Sequence, residues 1–198
     1  LQQKEELLKK IGIESKINIE DVPDIDLYID QVLQLFEKKF EGTKRNADEK
    51  VLTKTMVNNY AKGKLFYPIK NKKYSKDHLL LISLIYQLKG ALSINDIKST
   101  LSGLNQLITE EGFELEPFYR SFLELQDKGA AHFKENLESL MNESKKEVKR
   151  EGQENEYLEK ALMIASLVNV SNLYRRTAEQ LIDELVKTLP ADGVKKKD

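Results

Sequence analysis

The chain has 198 residues, 33 acidic and 32 basic, with a formal net charge of −1 and 40% hydrophobic residues. That is too apolar for a disordered chain, and the length suits one domain or one small domain with an extension. With no cysteine there is no disulfide framework, thiolate zinc site or cysteine nucleophile, and no apolar run approaches the ~20 residues of a membrane span.

No charged-then-apolar leader opens the chain, which begins at Leu1. The expected compartment is the cytoplasm. The nine glycines are never closer than nine residues apart. A GxGxxG turn or a phosphate-cradling P-loop needs glycines a few residues apart, so both are excluded.

The elements in chain order are almost all helical. After an N-terminal arm (1–21), Pro23 precedes a 3.6-residue stripe of Ile25, Ile29, Val32, Leu33, Phe36 and Phe40, closed by Gly42. Residues 43–51 are a polar connection. Thr53 caps a short helix through Lys62 with Met56, Val57 and Tyr60 on one face, and Gly63 is expected to stop it in the left-handed conformation. Residues 64–74, with Pro68 and Asn71, read as a turn and a short β-ribbon or extended loop.

Ser75 then caps a helix apolar around most of its circumference, from Leu79 to Leu88, which predicts the central buried helix. Gly90 ends it. Ser93 and Asp96 form a capping box for a helix with Ile94, Ile97, Leu101 and Leu104 inward. Residues 105–116 are ambiguous. Pro117 starts a long helix to about Glu147, with Phe118, Phe122, Leu125, Phe133, Leu137 and Leu140 on one stripe. The charged segment 145–156 is either the exposed end of that helix or a turn at Gly152. A last helix runs from about Asn155 to Thr188, and the lysine-rich tail 191–198 is expected to be disordered.

The near-zero net charge conceals a segregation. Residues 44–76 carry ten basic and two acidic side chains, a net +8, which leaves −9 for the rest. A local basic stripe on an acidic chain is an electrostatic footprint for a polyanion. These lysines lie on a capped helix and the ribbon after it, interleaved with Asn58, Asn59, Phe66, Tyr67 and Tyr74.

Residues 53–101 resemble the DNA-binding domain of MerR-type transcription regulators. The resemblance rests on Tyr60, then Leu65-Phe66-Tyr67-Pro68, then Lys72-Lys73-Tyr74-Ser75, then Asp77-His78-Leu79 and Leu92-Ser93-Ile94, in order and spacing. Where that family carries Gly-Tyr in its wing this chain has Lys70-Asn71, and Lys72 replaces an Arg. The chain, with IDLYIDQ at 25–31, also resembles an uncharacterised bacterial domain-of-unknown-function family, which brings no activity with it.

The resemblance implies an all-α fold: a MerR-like winged helix-turn-helix with a small β-wing at 22–104 and a helical dimerisation or effector domain at 105–190. It implies a bacterial transcription regulator with helix 53–62 in the major groove and the 64–74 wing on phosphates. The absence of cysteine excludes the family's metal-sensing branch.

Asn presents a donor and an acceptor together, which suits the N6/N7 edge of adenine, so Asn58 and Asn59 are the base-contact candidates, with Thr55 beside them. Lys54, Lys62, Lys64, Lys70, Lys72 and Lys73 are the phosphate candidates. Tyr60 and Tyr74 are read as half-buried packing residues whose hydroxyls reach the backbone, and Leu65 and Phe66 as core.

No enzyme is expected. His78 and His132 lie 54 residues apart without an acid at metal spacing, so a helix-surface or cap position is the default for both, and no Glu-x-x-His repeat occurs. No cofactor or metal is implied. The expected partners are double-stranded DNA and a second copy of the chain, with no membrane. The 117–188 helices serve equally as intrachain packing or as a dimer interface, and Phe118, Tyr119, Phe122 and Phe133 as an effector pocket or as core. The competing reading is a helical protein-interaction module that has lost DNA binding, its lysines engaging an acidic partner.

Overall fold

Apolar side chains at helical spacing, punctuated by Ser, Thr, Gly and Pro, produce a chain whose regular structure is nearly all helix. The computed structural model describes residues 2–150, 152 and 155–188. In order these are α1 (Gln2–Lys10), a 3-10 turn (Ile19–Asp21), β1 (Leu27–Tyr28), α2 (Ile29–Phe40), a second 3-10 turn (Glu41–Thr43), α3 (Lys54–Lys62), β2 (Lys73–Tyr74), α4 (Lys76–Leu88), α5 (Ile94–Glu110), α6 (Leu115–Arg150) and α7 (Glu156–Thr188). The fold is all-α with one two-stranded antiparallel sheet, in which Leu27 faces Tyr74 and Tyr28 faces Lys73. No helix among the described residues is long and apolar enough to cross a membrane. The tail expected at 191–198 lies outside the described residues.

The hydrophobic core is continuous from Ile17 to Leu123. The helix apolar around most of its circumference is α4, and every residue from His78 to Ile85 is buried. The α2 stripe of Val32, Phe36 and Phe40 packs into the same core, and Phe40 meets the ring of Tyr86 at 4.3 Å between centroids. Tyr119, on the second turn of α6, is fully buried. Its hydroxyl donates to the carbonyl of Ile17 (2.9 Å) and meets Ser83 Oγ (2.8 Å). Burial pushes its ionisation up to about 12, so it is a neutral hydrogen-bonding strut at any ordinary pH. The first turns of α6 therefore belong to the core built by α2–α5.

The residues before α2 are structured. Leu8, Ile17, Ile19 and Val22 are buried. Gly12 lies at φ +62°, and a Cβ there would come within 2.6 Å of the backbone of Gly42. Only glycine allows the α1 turn to sit against the end of α2 in this way.

Several positions differ from the periodic reading, each because a tertiary contact outweighs local pattern. Pairing of β1 with β2 draws Leu27 and Tyr28 into a strand, so α2 begins only at Ile29 and Ile25 is left 68% exposed. The Ser93–Asp96 capping box forms, with Asp96 N donating to Ser93 Oγ and Ser93 N to Asp96 Oδ2. Ile94 in that first turn nevertheless faces outward, and Ile97 and Leu101 point inward. In α6 the core takes Leu115, Tyr119 and Leu123, a face rotated away from Phe118 and Leu125, which stay exposed. The ambiguous segment 105–116 is mostly the continuation of α5, ended by Gly112 at φ +67°. α6 reaches Arg150, and Gly152 turns the chain at φ +69° before α7.

Candidate nucleic-acid interface

The basic segment is built around α3. Thr53 caps it, its Oγ1 accepting from Met56 N at 3.1 Å. Val57 and Tyr60 face inward and are buried, which turns Lys54, Thr55, Asn58, Asn59 and Lys62 to solvent. Positions 54, 55, 58 and 62 fall on one side of a 3.6-residue helix, with Asn59 at its edge. No acidic residue lies on α3. Lys54 is already engaged, at 2.8 Å from Asp30 in the first turn of α2, with both side chains largely exposed.

The helix ends differently from expectation. Gly63 is right-handed at φ −71°, and Lys64 takes the left-handed conformation at φ +58°. Leu65 N donates to Tyr60 O and Lys64 N to Ala61 O, both at 3.0 Å, the pair of bonds of a Schellman cap with Lys64 at its left-handed position. Gly63 is required for space: a Cβ there would lie 2.7 Å from Leu65 Cδ1 and 3.1 Å from Asn59 O.

Residues 64–74 then form a hairpin. Asn71 (φ +51°) and Lys72 (φ +58°) are both left-handed, and Lys73 N donates to Lys70 O at 2.9 Å. This is the geometry of a two-residue type I′ turn. Its tip presents Lys70, Asn71 and Lys72 to solvent. Lys73 is half-buried, with its ammonium 5.2 Å from the ring centroid of Tyr28. Lys62, Lys64, Lys70 and Lys72 form no ion pair among the described residues, whereas Lys44 is bound by Glu37 and Lys76 by Glu116 and Asp24.

The base of the hairpin is clamped from two sides. On one side Asn105 of α5 accepts from Tyr67 N (2.9 Å) and donates to Leu65 O (3.0 Å) and to Leu101 O (2.9 Å). Its amide thus pairs with the extended chain on either side of buried Phe66 as a neighbouring strand would. On the other side stands His78, which is buried in the first turn of α4 and not on a helix surface. Its Nε2 lies 3.1 Å from Tyr67 O, and its Nδ1 lies 3.2 Å from Ser75 N and 2.7 Å from Ser75 Oγ. A carbonyl can only accept and a backbone N–H can only donate, so the ring is the neutral Nε2–H tautomer. Burial holds its pKa below the ordinary value, against the hydrogen bond to Tyr67. Phe66, Tyr67 and Tyr74 pack around the ring.

Leu65 and Phe66 are core, as the pattern predicts. Tyr60 and Tyr74 are fully buried rather than half-buried, and the Tyr60 hydroxyl has no hydrogen-bond partner. Asn105 has no signature in the sequence, because a single polar residue in an undecided helix carries no local signal. The long connection before α3 is pinned: Val51 and Leu52 are buried, Thr43 Oγ1 meets Tyr86 Oη at 2.9 Å, and Lys89 Nζ reaches Val51 O at 3.4 Å.

Of the residues considered for an effector pocket, Tyr119 belongs to the core. Phe118 and Phe122 border a cavity of about 600 Å³ between α4, α5 and the end of α7. Phe133 and exposed His132 border a second, of about 780 Å³, between α4, α6 and α7. No group of three or more His, Asp or Glu side chains able to hold a metal ion occurs among the described residues.

Residues 17–122 match a family model described as Domain of unknown function (DUF1836). The chain belongs to this family. The stretch shared with the family coincides with the continuous core, Ile17 to Leu123, and includes α3, the hairpin and both halves of its clamp. No curated protein matches the chain, and no solved structure does.

Proposed function

We propose that this member of the DUF1836 family is a DNA-binding transcription regulator of the bacterial cytoplasm. In this reading residues 22–104 form a MerR-like winged helix-turn-helix, α3 enters the major groove, and the 70–73 hairpin rests on the adjacent backbone. One observation carries it. A capped helix without an acid and a rigidly clamped hairpin both offer cationic and amide side chains to solvent, Lys62, Lys64, Lys70 and Lys72 being free of ion pairs among the described residues. Free lysines on fixed backbone release counterions from a polyphosphate without first breaking internal pairs. The order strand, helix, helix, hairpin, strand, helix in 27–88 further supports the comparison with a winged reader.

Roles follow from position. Asn58, with Thr55 and Asn59, would read base edges, and Lys54, Lys62, Lys64, Lys70, Lys72 and Lys73 would engage phosphates. Lys54 must exchange Asp30 for phosphate, so its net contribution is the smallest of the lysines. The test is affinity for a site selected from random-sequence DNA, measured against salt. Each engaged phosphate adds about −0.9 to the slope of log K against log salt. Lys72→Ala should weaken all sequences about equally and reduce the slope by about one, whereas Asn58→Ala should cost ~1–3 kcal/mol on the selected site only. No binding at low salt would overturn the reading in favour of a module that engages an acidic protein.

A further inference from the structure

Ten of the eighteen large apolar side chains exposed among the described residues lie on α7, and Ile182 is the one residue of that helix that is buried. From Ala161 to Tyr174 the helix carries no charged residue at all. A helix that is apolar on all sides is a helix made to be covered. At 14 residues the uncharged stretch is shorter than the ~20 needed to span a bilayer.

The pattern on its open side says what covers it. Leu162, Ser166 and Val170 form one ridge at i, i+4, i+8, and Leu173, Thr177 and Leu181 form a second, parallel one. The leucines and Val170 are 42–60% exposed and Thr177 is open to solvent; Ser166 is half-buried beside α6. The spacing 4-4-3-4-4 reads the same from either end. Reversal pairs Leu162 with Leu181, Ser166 with Thr177 and Val170 with Leu173, so apolar meets apolar and hydroxyl meets hydroxyl. A surface that is its own complement under reversal is what a two-fold interface requires.

We propose that two copies of this chain associate through α7, packed antiparallel across a two-fold axis between Val170 and Leu173. Two i±4 ridges on each helix interlock in the 4–4 class, with the axes crossing near about −50° and closest at the midpoint of α7. The inference stands independently of the DNA reading and assigns a surface to the homodimer expected from sequence.

Sedimentation velocity of the full chain at about 1–100 μM tests it, and a dimer is expected. A monomer throughout that range overturns the proposal and leaves the face to a foreign partner or to a ligand in the adjoining 780 Å³ cavity. Leu173→Glu places two carboxylates beside the axis and should weaken association at least 100-fold. The far-UV spectrum and the denaturation midpoint of the core should not move, because Leu173 is half exposed and outside that core. Ile164→Glu, 62% exposed off the two ridges, should leave association intact. Dissociation by Ile164→Glu but not by Leu173→Glu overturns the choice of face.

Because the chain has no native cysteine, orientation is tested by cross-linking. A mixture of Val170→Cys and Leu173→Cys proteins should oxidise to a heterodimer. Leu181→Cys alone should not, since antiparallel packing separates the two copies of that residue by ~28 Å along the helix, beyond the ~7 Å that a disulfide spans. Efficient cross-linking of Leu181→Cys to itself would mean a parallel pair and would overturn the antiparallel arrangement.

Discussion

The stretch from Ile17 to Leu123 and the helix α7 are assembled from the same residue types and end in opposite conditions. In the first, nearly every large apolar side chain at helical spacing is buried, and His78, Ser83 and Tyr119 are tied by hydrogen bonds. In the second, one residue of 33 is buried. The difference lies in connectivity. Four helices and a sheet surround α4, so each of its faces finds a neighbour. Helix α7 follows the whole assembly and packs on α6 and α5 alone. Stability is therefore concentrated in the part shared with the family, and α7 offers surface rather than core.

The largest effect should come from that core. Leu80→Ala, at a fully buried α4 position, is expected to cost about 2–5 kcal/mol in urea denaturation. Ile164→Ala on α7 should stay within about 0.5 kcal/mol. Similar losses at both sites would break the comparison. Next comes the clamp. Asn105→Ala leaves Tyr67 N and Leu65 O without partners and should cost about 1–3 kcal/mol. Amide exchange should speed up at 65–73 more than in α2, and an even increase throughout would show that Asn105 does no local work.

The comparison sharpens with pH at His78. Its pKa is depressed in the folded chain by burial, so the unfolded chain binds the proton first. The stabilisation is complete above the ordinary histidine value of 6.5 and falls as pH drops through the lower folded value. The melting temperature should thus decline below about pH 6.5, and His78→Gln should flatten that decline. An equally steep decline in the variant would move the cause to other groups. The smallest effect has the opposite sign. Tyr60→Phe removes a buried hydroxyl without a partner and should be neutral or stabilising by up to ~1 kcal/mol. A loss above that would reveal a hidden partner beneath α3.

Much of the candidate interface is legible in the amino-acid sequence. Thr53 and the apolar triplet Met56, Val57 and Tyr60 define α3 and its outward face, and Pro68 with Asn71 marks the ribbon. How the ribbon is held is not legible there. Asn105 and His78 lie 38 and 11 residues from Tyr67, and no local pattern connects them to it. The position of the left-handed residue is hidden for a related reason. Glycine tolerates that conformation best, yet the space beside Leu65 and Asn59 O fixes glycine at 63, and Lys64 takes the turn.

By itself the sequence determined that the chain is helical, where most helices start and stop, that α4 is central, and that positive charge gathers between residues 44 and 76. These depend on periodicity, capping and composition, which act within a few residues. Only the tertiary structure decided that Ile25, Ile94, Phe118 and Leu125 face outward, that Tyr119 ties α6 to Ile17, and that α7 is left open. Which side of an amphipathic helix is buried depends on the neighbours it meets, and those neighbours are set by contacts between residues far apart in the chain.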